Sequence, residues 1–175
     1  MVVSSRIMAG TLVIALWMSW TATAHKAPCP PPPEWSGASK IGAWHVRRTC
    51  STSADVLRIY TKVGGRLLYL RCDTVRGPYG DIVVMDTKLS RSVTLGVHGN
   101  PNRPLEARVN DEGHVVQFGF DDATLIKRFM AALVDGEGPT VTIHLIRRDG
   151  HALELVFPRA GLARAAEPLR TRCDW

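Results

Sequence analysis

Two β-favouring runs, Val56–Val63 and Arg66–Cys72, are separated by nothing but Gly64-Gly65. Glycine reaches positive φ without a Cβ clash, so this pair suits a two-residue primed turn, and strands joined that way are antiparallel neighbours. Similar punctuation recurs. Asn110–Gly113 lies between Leu105–Val109 and His114–Phe120, and Asp149-Gly150 lies between Val141–Arg148 and His151–Phe157. Followed as a two-residue loop, Asp149-Gly150 sets Arg148 opposite His151 and Ile146 opposite Leu153. One face of that pair then carries Val141, Ile143, Leu145 and Val156; the other carries His144, Ile146, Leu153, Leu155 and Phe157. Two apolar faces predict a hairpin covered on both sides.

Ile41–Thr49 reads as one further strand, with Trp44 and Val46 on one face and His45 and Arg47 on the other. Asp81–Met85 and Ser92–Val97 read as short strands. Asp73–Gly80 and His98–Pro104, dense in Gly, Pro and Asn, read as loops. The period changes after Phe120. Asp121 and Asp122 suit a helix N-cap, Leu125, Phe129 and Leu133 recur every four residues beside Ile126 and Met130, and Gly136 suits the stop. A last helical stripe runs through Leu162, Ala166, Leu169 and Cys173, with Pro168 making its end irregular. Hairpins without β-α-β alternation predict an α+β fold: a mainly antiparallel, β-sandwich-like sheet with two short helices.

Residues 1–24 stand apart. Arg6 is their only charge, Ile7–Trp20 is largely apolar, and Ala22-Thr23-Ala24 follows. This reads as a secretory signal peptide cleaved after Ala24, and the apolar run is shorter than the ~20 residues of a membrane span. Residues 25–40 form a Pro-rich lead-in that includes Pro30–Pro33, and residues 41–175 form a single β-rich domain. The expected compartment is periplasmic or secreted. All four cysteines, Cys29, Cys50, Cys72 and Cys173, follow the leader, and no C-x-x-C is present. In an exported chain that pattern predicts two disulfides rather than a metal knuckle.

No catalytic motif is found. There is no G-x-S-x-G elbow, no phosphate-binding glycine loop and no zinc-binding histidine pair. His144 reads as a packed histidine, His151 and Asp111-Glu112 as solvated turn residues, and Asp121-Asp122 as a cap rather than a catalytic pair. Cleavage after Ala24 would expose His25 as an amino-terminal copper chelate, but no second imidazole is fixed beside it. The chain is therefore expected to be no enzyme, with no cofactor, catalytic residue or metal.

Four segments resemble a family. Gly42-Ala43-Trp44-His45-Val46, Leu68-Tyr69-Leu70-Arg71-Cys72, Phe129–Leu133, and Gly161-Leu162 through Pro168-Leu169 to Cys173-Asp174-Trp175 are similar, in that order, to the small periplasmic type VI secretion accessory proteins of the TagO/VasI type. A looser similarity is to the invasion-associated locus B family. The resemblance implies an exported accessory or binding domain rather than an enzyme. It also keeps the pair Cys72 and Cys173, which burial of a strand end against the last helix stripe would bring together. Cys29–Cys50 is the remaining bond.

The expected function is that of a non-enzymatic accessory or binding protein acting by protein–protein contact in the periplasm. The alternative is a secreted factor of the invasion-associated type, contacting host or envelope surfaces. The expected partner is an envelope protein. Export argues against nucleic acid, and no stable membrane span remains after leader removal. The mature chain has 16 Arg and five Lys with no long basic run, a soluble basic surface that leaves room for anionic headgroups, glycans or an acidic partner. Arg76, Tyr79 and Arg103, placed in the two loops, are the expected partner-binding anchors.

Overall fold

The computed structural model describes residues 39–50, 55–89, 91–97, 104–120, 122–147 and 149–175. Strands and helices follow the order β1 (Ser39–Ile41), β2 (Trp44–Cys50), β3 (Asp55–Val63), β4 (Arg66–Asp73), β5 (Gly77–Val84), β6 (Ser92–Val97), β7 (Leu105–Val109), β8 (Val115–Phe118), α1 (Ala123–Asp135), β9 (Thr140–Ile146), β10 (Ala152–Pro158) and α2 (Leu162–Cys173). The ten strands form one sheet in the order β1-β2-β3-β4-β5-β8-β7-β6-β9-β10. Every pairing in it is antiparallel. The fold is α+β, mainly antiparallel and sandwich-like, with two helices, as the hairpin signals predict.

Alternation along the strands explains the layers. Trp44, Val46, Leu57, Ile59, Leu68, Leu70, Ile82, Val84, Leu95, Val116, Ile143 and Leu155 all point to one face and are buried in a single core. Each such side chain contributes roughly 1.5–3 kcal/mol. Helix α2 packs on β1–β4, α1 packs on β5, β6 and β7, and the helices touch each other. Asp122 caps α1 by accepting from the amides of Thr124 and Leu125. At the other end Arg159 Nη1 donates to the Leu133 carbonyl at 2.7 Å and the Val134 carbonyl at 3.3 Å, so a cation from the β10–α2 connection satisfies two orphan carbonyls.

The sheet curls until its last strand meets its first ones. Trp44 Nε1 donates to the Pro158 carbonyl (2.9 Å), and Arg66 Nη1 donates to the Glu154 carbonyl (3.1 Å). These bonds occupy edge groups that an open sheet would leave free. Beside them the Ala43 amide donates to the Ala160 carbonyl at 3.0 Å. Gly42 and Gly161 have φ of +61° and +85°, and a Cβ on either would lie 2.3 Å from a carbonyl oxygen of the facing turn. Two of the motif segments, Gly-Ala-Trp and Gly-Leu, are thus the two sides of one backbone contact.

Four expectations are corrected. Ile41–Thr49 is two strands, because Gly42 turns the chain so that Ile41 pairs with Trp44. Asp73–Gly80 is no loop: Gly77–Gly80 pair with Asp73–Leu70, and only residues 74–76 turn. Its Gly and Pro content mimics a loop, but the backbone continues the ladder. The Asp149-Gly150 hairpin sits one residue out of the expected register, with Ile146 opposite Ala152 and Leu145 opposite Leu153. Gly150 has positive φ (+83°), and the Arg147 amide donates to the His151 carbonyl while the Arg147 carbonyl accepts from the Gly150 amide. With Arg147 opposite His151, the connection is one residue longer than a two-residue turn. The slip reassigns the faces. Val141, Ile143, Leu145, Leu155 and Phe157 are buried, while His144, Glu154 and Val156 share the other face, so the hairpin is covered on one side.

The leader, residues 25–38 of the lead-in (with Cys29), Arg103 and His98–Pro104 apart from Pro104 lie outside the described residues, while Ser39 and Lys40 belong to β1. No helix among the described residues is long and apolar enough to cross a membrane.

A cationic aromatic sheet face as the candidate functional site

The face of β1–β5 turned away from the core carries the most distinctive chemistry of the described surface. The Gly64-Gly65 turn pairs Val63 with Arg66, which places Tyr60 opposite Tyr69 and Arg58 opposite Arg71. On one flank β2 sets His45 opposite Tyr60 and Arg47 opposite Arg58. On the other, β5 sets Asp81 opposite Tyr69 and Tyr79 opposite Arg71. Two rows therefore cross the strands: His45, Tyr60, Tyr69, Asp81, and beside it Arg47, Arg58, Arg71, Tyr79.

The side chains of these rows pack on one another. The His45 and Tyr60 rings stack with centroids 4.9 Å apart, and Tyr60 and Tyr69 lie 5.4 Å apart. The Arg71 guanidinium sits 5.1 Å from the Tyr69 ring and 5.6 Å from the Tyr79 ring. Tyr79 in turn meets Phe120 at 5.8 Å. Aromatic and cation–π contacts of this kind hold side chains in one arrangement before any partner arrives.

The electrostatics are one-sided. Lys40, Arg47 and Lys62 are exposed on this face and Arg58 and Arg71 are half-buried. Its two carboxylates, Asp73 and Asp81, are buried. Asp73 accepts from the Val75 amide (2.7 Å), and Asp81 pairs with Arg71 at 2.7 Å. Burial pushes the Asp81 carboxyl above the usual carboxylate range, and the opposing pull of Arg71 does not cancel it. What meets solvent on this face is positive charge and aromatic ring.

The same outward face continues onto β6–β10 with mixed charge. A shallow cavity of about 380 Å³ there is lined by Thr94, Glu106, Arg108, Ile146 and Arg147, with both signs represented. His144 lies near Glu154 at 3.6 Å, half-buried on the outward face rather than packed in the core. His151 and Asp111-Glu112 are exposed. Among the described residues no three His, Cys, Asp or Glu are grouped as metal ligands.

Two of the three expected anchors lie among the described residues. Arg76 is exposed in the β4–β5 turn. Tyr79 is 7 % exposed and belongs to a strand, where it completes the aromatic ladder. Arg103 lies outside the described residues. Arg58, Tyr60, Tyr69 and Arg71 were not anticipated, although the Gly64-Gly65 turn fixes their cross-strand register and alternation puts them on the polar face.

Cys72, at the end of β4, is bonded to Cys173 at the end of α2, with Cα atoms 5.9 Å apart. Cys50 is disulfide-bonded as well; the expected bond to Cys29 lies outside the described residues. These features define an antiparallel α+β domain, disulfide-linked through its core and presenting a preorganised cationic aromatic face. Comparison with protein families gives no match, and comparison with curated proteins gives none. Among solved structures the chain is similar to invasion-associated protein B from Bartonella henselae. The TM-score is 0.52 at 18 % identity, covering 78 % of this chain and 97 % of that one. The shared feature is the fold.

Proposed function

We propose that this chain is an exported, non-enzymatic binding protein that acts by protein–protein contact through the outward face of β1–β5. One observation carries the reading: His45, Tyr60, Tyr69, Arg71 and Tyr79 are packed in series on a single sheet face, with Arg47 and Arg58 in register beside them. Tyr and Arg are the residues most enriched where proteins anchor one another, and rigid side chains lose little entropy on docking. The disulfides support an oxidising compartment. A periplasmic accessory role, of the type VI kind that the sequence motifs resemble, is one setting. The fold likeness to invasion-associated protein B supports the other, a secreted or envelope factor that meets host or envelope surfaces.

Site-specific photo-crosslinking in the producing cell tests this. A crosslinking residue at Arg47 is expected to capture a defined protein that the same residue at Glu112, exposed on the β7–β8 turn, does not. No capture from position 47, or the same products from both positions, would contradict the proposal.

A further inference from the structure

Arg47, Arg58 and Arg71 stand directly opposite one another on three neighbouring strands. Like charges in that position repel and lower the stability of a sheet. Among the described residues only Arg71 has a carboxylate against it, Asp81 at 2.7 Å. Arg58 Nη2 donates to the Thr49 hydroxyl, 3.3 Å away, and Arg47 is exposed. Lys40 and Lys62 extend the positive field past the His45–Tyr60 row, and among the described residues no exposed carboxylate interrupts it.

Where Arg48 and Arg172 approach each other, Asp55 lies between them. Arg66 has Asp86, and Arg170 has Asp135. Among the described residues no carboxylate pairs with Arg47 or Arg58, which lie one row from His45, Tyr60 and Tyr69.

We infer that the partner of this face is a protein segment rich in carboxylates, which inserts the missing negative charge between Arg47 and Arg58. The inference rests on the contact reading above and adds the chemistry of the partner. A guanidinium accepts a carboxylate bidentately, and the ladder of Tyr60 and Tyr69 beside the pair gives such a segment apolar and hydroxyl contacts that a bare ionic surface lacks. A protein partner fits better than lipid headgroups: the rings pack on one another across the strands and are half-buried, so they do not project as a bilayer-inserting side chain would.

Labelled poly-L-glutamate is the probe, with anionic phospholipid vesicles as the second arm, each titrated with the full mature chain. Poly-L-glutamate is expected to bind, to weaken steeply with added salt, and to lose about tenfold in affinity in Arg47→Glu/Arg58→Glu. That variant is expected to melt no lower than the parent chain, because it removes the repulsion. Arg91→Glu/Arg164→Glu, exposed elsewhere and equal in charge change, is expected to bind within about twofold of the parent. Equal weakening by both variants, binding to vesicles but not to poly-L-glutamate, binding to neither, or a lower melting point in the face variant would overturn the inference. Crosslinking from position 47 that resists salt and excess poly-L-glutamate would also overturn it while leaving the contact reading in place. Absence of crosslinking would remove the contact reading itself.

Discussion

Cys72 and Cys173 join the end of β4 to the end of α2 across 101 residues of chain. The bond closes a loop that holds β5–β10 and both helices. It adds a covalent tie to the packing of Leu162, Ala165, Ala166 and Leu169 on the sheet.

The chain-entropy model assigns about 4.7 kcal/mol to closing a loop near 100 residues. Cys72→Ala/Cys173→Ala is therefore expected to lose about 3–5 kcal/mol in urea unfolding, a loss that reductant reproduces in the parent chain. An unchanged unfolding midpoint would contradict this. Peptide mapping without reduction should recover Cys72 linked to Cys173.

Asp55 lies beside this bond and holds two cations. Arg48 donates through Nε (3.0 Å) and Nη2 (2.6 Å), and Arg172 of α2 also pairs with its carboxylate. The Arg48 hydrogen bonds dominate, burial opposes them, Arg172 adds to them, and the carboxyl falls from 3.8 to about 2. An acid with a depressed folded pKa stabilises the fold above its unfolded pKa and loses that stabilisation as pH falls through the folded value. Stability is thus expected to drop between about pH 4 and pH 2. After allowance for solvent screening the drop is on the order of 1–2 kcal/mol. Asp55→Asn should lose that amount at neutral pH and flatten the acid limb of the stability profile. An unaltered limb would refute the assignment.

The Gly42–Gly161 contact predicts an unusual intolerance. Both residues have left-handed backbones, and a methyl group on either meets the carbonyl of the facing turn at 2.3 Å. Gly161→Ala and Gly42→Ala should each cost about 2 kcal/mol or more, whereas Gly64→Ala, with open space around it, should cost only its backbone strain of about 1 kcal/mol. Equal thermal shifts for all three would show that the contact does not constrain the fold.

How much of this was legible depends on turn chemistry. Gly64-Gly65 is a two-residue turn with no slack, so the register of β3 and β4, and with it the Tyr60–Tyr69 pairing, follows from the sequence, whereas His45 and Tyr79 are placed by β2 and β5. Asp149-Gly150 looked stronger but belongs to a longer loop, and a slip of one residue exchanges inside for outside. Gly42 and Gly77 conceal themselves in opposite ways. One breaks a run that reads as continuous strand, and the other continues a ladder through residues that read as loop. The helix caps and stripes were readable because Asp122 and the Leu125–Leu133 periodicity act within a few residues. The face itself was not, because it is assembled across five strands from residues that are unremarkable one at a time.

The central claim is that the outward face of β1–β5 is the working surface. The most direct measurement is quantitative capture of the crosslinked partner by purified Arg58→Ala/Tyr60→Ala against the parent chain. Both side chains lie on the outward face, so their truncation leaves the core intact. Capture is expected to fall about thirtyfold, as for loss of an anchor worth ~2 kcal/mol, with far-ultraviolet circular dichroism unchanged. Capture within about twofold of the parent, from a folded variant, would contradict the account.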